Sequence, residues 1–282
     1  MNTIVFKGLM NKFQIQKIDL LHASQNSIVY ECLSNKYGKI IIKKYLDEKY
    51  FNKSNKFFNN FANLPMCHLY YVDNKNKIQV LEYIEGVTIS KIKNYKKRLI
   101  LGFNFLNNWA SHVKTMQENE LLYSGLVVEM LNECNTLNLF PEAENLLFNF
   151  KNHFKNFNSK YNKLYLIHGD LHYNNLIYTG NNLIAIDPSP KIASFAIEVA
   201  KFIENELYIN INLIEKKLDF IVKIFRFNII SEEELLEGLF IDSCRRTFDS
   251  YLKGDDEQTF IRGIKVNNKI FNYLEGRKSN GF

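Results

Sequence analysis

The chain has 282 residues and a formal charge of +6, with 46% hydrophobic and 14% aromatic residues but only 4 prolines and 12 glycines. That length suffices for one large domain or two lobes around a substantial core. The composition excludes a collagen-like or turn-rich all-β design, and no apolar run reaches the roughly 18 residues of a membrane span.

The opening stretch MNTIVFKGLMNKFQIQKIDLLHAS breaks every apolar run with Lys, Gln or Asp, so no secretory signal is expected. Cys32, Cys67, Cys134 and Cys244 are far apart and form no CxxC pair, which reads as reduced thiols in a cytoplasmic protein. Lysines are interspersed with asparagines, as in KKYLDEKYFNKSNKFFNNF. That pattern reads as a solvated surface rather than a nucleic-acid stripe.

In chain order, β-branched runs at 28–32 and 39–43, joined by SNKYG, predict a hairpin. Residues 47–63 repeat Phe51, Phe57, Phe58 and Phe61 on a helical period and stop before Pro65. Strands at 68–72 and 78–83 follow, joined by the turn-forming DNKN. Beyond Gly86 the pattern changes. Leu99, Phe103, Leu106, Ala110 and Val113 share one helix face, which only Gly102 weakens. Further helices are predicted at 121–135, 141–157, 213–227, 231–251 and 258–274, with Pro141 in a first turn and Ser231 capping three glutamates. A small β-rich part therefore precedes a larger helical one, with the break near 83–86.

One stretch, LIHGDLHYNNLIYTGNNLIAIDPSP at 166–190, carries the chemistry. Strands are predicted at 164–167, 176–178 and 183–186, the last two as a hairpin turning at TGNN. Asp170 and Asn175 then lie on one loop. Asp187 ends a hairpin expected to fold back toward it, so three oxygen-bearing side chains should converge. Phosphoryl transfer from ATP to an alcohol needs such a set: a carboxylate that accepts the hydroxyl proton, and hard oxygen ligands for Mg²⁺. The five-residue offset from Asp170 to Asn175 is that of the protein kinase catalytic loop. His168 and His172 invite a zinc reading, but they lie among glycine and strand signals rather than on a helix, and His168 reads as structural.

HGDLHYNN followed by IDPSP resembles the aminoglycoside phosphotransferase family. The resemblance implies an α+β, protein-kinase-like two-lobed fold that phosphorylates small-molecule hydroxyls with ATP and Mg²⁺. It implies a small antiparallel β-rich N-lobe over 1–83, a hinge at 84–90 and a mainly helical C-lobe over 91–282. It makes Asp170 the catalytic base and Asn175 and Asp187 the Mg²⁺ ligands. VLEYIEG resembles the hinge, where the backbones of Glu82 and Ile84 would bond adenine. IVYEC and KIIIKKY resemble the strands that carry the phosphate-binding lysine.

Strand alternation turns only one of Lys43 and Lys44 inward. The kinase pattern selects Lys43, two residues after Ile41, which would line the adenine pocket with Leu81. Glu48 is the candidate acidic partner of Lys43. The loop at 23–27, with Ser24 and Ser27, would cover the nucleotide without a glycine. Within the family, LIAIDPSPKIASFAIEVAKFIEN resembles the branch of streptomycin 6-kinases and hydroxyurea kinases, and Glu198 matches a carboxylate of its helix. Pro188-Ser189-Pro190 and Ala193-Ser194 depart from that branch's Pro-Lys-Gly and Gly-acid pairs. The implied acceptor is an aminoglycoside-type antibiotic, with Asp242, Asp249, Asp255, Asp256 and Glu257 available to a cation. The alternatives are a metabolite acceptor (choline, a sugar or homoserine) or a non-catalytic nucleotide-binding module. The expected partner is that small hydroxyl acceptor, with no nucleic acid and no membrane, for a monomer or homodimer.

Overall fold

The computed structural model describes residues 3–61, 64–116, 122–279 and 281, with side chains from residue 7 onward. In chain order the elements are α1 (Thr3–Phe13), β1 (Ile15–Ala23), β2 (Ser27–Ser34), β3 (Gly38–Tyr45), α2 (Glu48–Asn60), β4 (Leu69–Asp73), β5 (Ile78–Glu82) and β6 (Val87–Thr88). After them come α3 (Tyr95–Ala110), α4 (Tyr123–Cys134), α5 (Pro141–Lys160), β7 (Tyr165–Ile167), β8 (Leu176–Tyr178), β9 (Leu183–Ala185) and β10 (Lys191–Ala193). The chain ends with α6 (Phe195–Ile209), α7 (Ile214–Ile224), α8 (Glu232–Leu252) and α9 (Glu257–Ser279). Asn63 and Leu121, the expected end of one helix and start of another, lie outside the described residues. No helix among the described residues is long and apolar enough to cross a membrane.

The chain folds as two compact units, Met1–Val87 with Leu176–Ser189, and Thr88–Asn175 with Pro190–Phe282. The first is built on an antiparallel sheet of order β1-β2-β3-β5-β4. Alternation along β3 sends Ile40 and Ile42 into a core with Leu9, Phe13, Ile15, Cys32, Ile78 and Val80. The opposite face carries Ile41, Lys43 and Tyr45, and the register Ile41↔Leu81 and Lys43↔Gln79 adds Leu81 and Gln79 to it. α2 packs there with the Phe51 ring edge-on to Tyr45 and with a set of polar contacts. The Tyr45 hydroxyl lies 2.9 Å from Ser54 Oγ and 3.0 Å from Gln79 Oε1, sharing its one proton within that set, and Gln79 Nε2 donates to Asn55 at 2.6 Å. The β8–β9 hairpin joins this unit through Ala185, whose N–H donates to Pro65 O at 2.9 Å and whose carbonyl accepts from Cys67 N at 3.0 Å. Gly86 is needed beside the hairpin, because a Cβ there would lie 2.5 Å from the Tyr178 carbonyl.

The second unit is mainly helical, with α6 packed on α8 and the short antiparallel pair β7–β10 in register Lys191↔Ile167. Gly102 of α3 is explained by packing rather than by helix propensity. A Cβ there would meet Phe202 Cζ at 1.8 Å, and that ring also packs against Phe103 and Tyr173. Gly102→Ala should gain roughly 1 kcal/mol of propensity yet lose about 1–3 kcal/mol to overpacking. Urea unfolding is expected to show a net loss of stability.

Candidate active site

In the second unit the loop from His168 to Asn175 leaves the end of β7 and is held from below. Glu198 of α6, fully buried, accepts the His168 N–H at 3.1 Å on Oε1 and the Gly169 N–H at 2.9 Å on Oε2. Burial pushes the Glu198 carboxyl up to about 7, although those two N–H groups and Lys191 oppose the rise. Farther along the loop, Tyr173 donates its hydroxyl to Glu206 Oε2 at 3.0 Å. Glu206 is itself clamped by two Arg98 hydrogen bonds of 2.9 Å and by Lys217 at 3.3 Å. The sequence marked Glu198 through the family likeness, but Arg98, Glu206 and Lys217 carry no motif. They are visible only once α3, α6 and α7 are packed.

On this frame Asp170 and Asn175 stand together. Asn175 Nδ2 donates to the Asp170 carbonyl at 2.9 Å and approaches Asp170 Oδ2 at 3.4 Å. Asn175 is nearly buried, whereas Asp170 keeps 37% of its side chain exposed. His172 Nε2 lies 3.5 Å from Asp170 Oδ2, and Lys201 Nζ lies 3.8 Å from Oδ1. His168 is fully buried, with its ring edge-on to Trp109 and Nδ1 accepting the Asp170 N–H at 3.4 Å. Asn174 donates its N–H to His172 Nδ1 at 3.2 Å and accepts from Ser90 Oγ at 3.0 Å. Lys191 Nζ donates to Gly169 O at 2.6 Å. Lys191 and Lys201 were not singled out in the sequence. A signal existed for the second: on the apolar helix FAIEVAKFIEN, the charged residues Glu198, Lys201 and Glu204 recur every three positions.

In the first unit Lys43 is paired with Asp187, its ammonium donating to Asp187 Oδ1. Burial works against the Lys43 charge, but Tyr45 and Asp187 outweigh it and lift the ammonium above its ordinary value. Asp187 sits at φ 56°, a left-handed conformation that Asp tolerates better than most residues. The expected pairing of Lys43 with Glu48 is not what the structure has. Asp47 accepts the Lys49 and Tyr50 N–H groups as the α2 cap, and Glu48 lies exposed in the first turn. The α2 residue turned toward Tyr45 and Gln79 is the neutral Ser54.

The first unit also holds a cavity of about 550 Å³, walled by Pro65, Met66, Glu82, Ile84, Thr179 and Ile184 among others. That volume suits a nucleotide base and sugar. Among the described residues the Ile84 N–H has no hydrogen-bond partner, while the Glu82 N–H is used on His68 O at 2.9 Å. Ile41 and Leu81 share the Lys43 face of the sheet but are not walls of this cavity. Ser24 and Ser27 close the β1–β2 turn on themselves, Ser27 N–H donating to Ser24 Oγ at 3.1 Å and Ser24 N–H to Ser27 O at 2.9 Å.

Among solved structures the chain resembles choline kinase LicA from Streptococcus pneumoniae, with TM-score 0.67 and 14% identity over 98% of this chain and 99% of that one. It also resembles a choline/ethanolamine kinase family protein from Mesorhizobium loti, with TM-score 0.70 and 11% identity over 98% of each chain. The fold is kinase-like. A third kinase-like neighbour is a thermostable mutant of aminoglycoside phosphotransferase APH(4)-Ia in complex with ADP and hygromycin B, with TM-score 0.68 and 10% identity over 95% of this chain and 97% of that one. No known family's sequence profile matches the chain, and neither does any curated protein.

Proposed function

We propose that this kinase-like protein is an ATP- and Mg²⁺-dependent phosphotransferase acting on a hydroxyl of a small molecule. The observation that carries the reading is the 168–175 loop, where Asp170 stays exposed while its neighbours are fixed by Glu198 and Asn175. In this reading Asp170 takes the proton of the acceptor hydroxyl as that oxygen attacks the γ-phosphorus. The bond to the β,γ-bridging oxygen breaks and ADP leaves. Asn175 commits its amino group to Asp170, so its side-chain carbonyl would be left to hold a metal, and the Asp187 carboxylate would be the other protein ligand. An amide oxygen and a carboxylate are the hard donors that Mg²⁺ prefers. When bound, Mg²⁺ neutralises charge on the phosphates. Lys43 would contact those phosphates, with adenine on the backbone of Glu82 and Ile84, Ile41 and Leu81 nearby, and Ser24 and Ser27 in the covering turn.

The acceptor decides between two finer readings. An aminoglycoside, the acceptor of the streptomycin kinase branch and a route to antibiotic resistance, would need carboxylates free to meet a polycation. The two sequence candidates on α8, Asp242 and Asp249, are engaged. Asp242 accepts from Tyr123 at 2.7 Å and Arg245 at 2.9 Å, and Asp249 pairs with Lys253 at 2.7 Å. Asp256 caps α9 through Thr259. Lysines stand nearer Asp170 instead, which favours a metabolite acceptor such as a sugar or a homoserine-like compound. The test is ADP release with Mg²⁺-ATP across a broad acceptor panel, expected to yield a phosphorylated product. Mg²⁺-dependent ATP binding with no product from any acceptor would leave a nucleotide-binding module and defeat the proposal.

A further inference from the structure

Two ammonium groups beside Asp170 have donors to spare. The register Lys191↔Ile167 carries Lys191 over the loop that follows β7, and its Nζ meets Gly169 O at 2.6 Å. Among the described residues Lys191 has no carboxylate within hydrogen-bond distance. Lys201 Nζ is 3.8 Å from Asp170 Oδ1, beyond hydrogen-bond length, and its side chain is only 13% exposed. Both side chains are only partly exposed, and among the described residues each ammonium has N–H donors that no protein acceptor takes, so an anion arriving beside Asp170 would find them ready.

The neighbouring acids do not fill the gap. Arg245 and Tyr123 hold Asp242 through Oδ1, Arg246 holds Glu204 through Oε2 at 2.5 Å, and Glu198 spends both oxygens on the loop. Burial and the Asp242 charge raise the Glu204 carboxyl above its ordinary value, against the pull of Arg246 and Lys201. Burial, with Arg245 and Lys201 nearby, pulls the Lys191 ammonium down to about 8, which still leaves it mostly charged at neutral pH. Among the described residues Asp170 is the one carboxylate within ion-pair range of Lys201.

We infer that the acceptor carries an anionic group, a carboxylate or a phosphate, on the same small molecule as its hydroxyl, and that Lys201 and Lys191 bind it. The inference rests on the phosphotransferase reading and names its substrate class. The 3.8 Å between Lys201 Nζ and Asp170 lets a molecule no larger than a hydroxy acid touch both. A group bound this way also brings the hydroxyl to the base, so specificity and orientation come from one contact.

The test measures ADP release by the full chain with Mg²⁺-ATP and matched acceptors. One arm is hydroxy carboxylates (glycerate, gluconate, homoserine) and a second is sugar and glycerol phosphates. The third is neutral or cationic counterparts (glycerol, glucose, choline, streptomycin). A member of the first or second arm should be used at least roughly tenfold better than its uncharged counterpart, and which arm responds separates carboxylate from phosphate. Lys201→Met should raise the acceptor KM roughly 10- to 100-fold, the loss of one charge-assisted hydrogen bond, with the KM for ATP unchanged. Lys201→Arg should recover most of it, and Lys191→Met should act in the same direction if Lys201→Met fails to fold. Equal use of neutral or cationic acceptors overturns the inference. So does a variant that lowers kcat with acceptor KM intact, or a chain that binds Mg²⁺-ATP but uses no anionic acceptor. A chain that does not bind Mg²⁺-ATP fails the phosphotransferase reading itself.

Discussion

Asp170→Asn should lower phosphoryl transfer by roughly 10²- to 10⁴-fold, the usual contribution of a positioned general base. The change is nearly isosteric and touches little of the scaffold. Glu198 bonds the main chain of His168 and Gly169, and Asn175 bonds the Asp170 carbonyl, so those contacts survive the substitution. What is lost is a proton acceptor and the negative charge that faces His172 and Lys201. Thermal unfolding and ATP affinity should therefore stay close to wild type while ADP formation collapses. Retained turnover would show that another group, or the solvent, takes the hydroxyl proton.

The legibility of this chain in its sequence follows the range of each signal. The strands at 28–32, 39–43, 68–72 and 78–83 were readable because β-branched runs and turn residues are local, and they correspond to β2, β3, β4 and β5. β1 was not readable. It is an edge strand of which only Ile15 is buried, so IQKIDLLHA shows no alternation to detect. α1 was missed because its apolar residues come early and close together, and among its described side chains only Leu9 and Phe13 are buried. Asp170, Asn175 and Asp187 could be picked out by spacing along one stretch. The partner of Lys43 could not, because Asp187 lies 144 positions away while Glu48 and Asp47 are merely the acids between Lys43 and Pro65. The cations beside Asp170 come from β10 and α6, and each looks like an ordinary surface lysine until burial is known.

Asp187→Asn tests the other half of the proposed chemistry, and its effects can be separated. Asn tolerates the left-handed φ of 56° at least as well as Asp, so the backbone that aims the side chain should persist. Two things change. A metal would lose its carboxylate, and the Lys43 ammonium would lose its charge partner. Turnover at fixed Mg²⁺ should fall roughly 10²- to 10³-fold, the scale of removing one preorganised electrostatic stabiliser, and more Mg²⁺ should recover part of it. The Lys43 ammonium should fall, since burial opposes its charge and Asp187 helps to offset that burial. The sign follows for stability as well. A lysine whose folded-state value is raised contributes stability that is present below its unfolded value and lost as pH rises through the folded one. The wild type should therefore exceed Asp187→Asn in stability near neutrality and converge with it in alkali. Because the two residues are bonded, Lys43→Met combined with Asp187→Asn should cost less than the sum of the single changes. A Mg²⁺ titration of ADP release that is unchanged in Asp187→Asn would remove this residue from the metal site, whatever happened to Lys43.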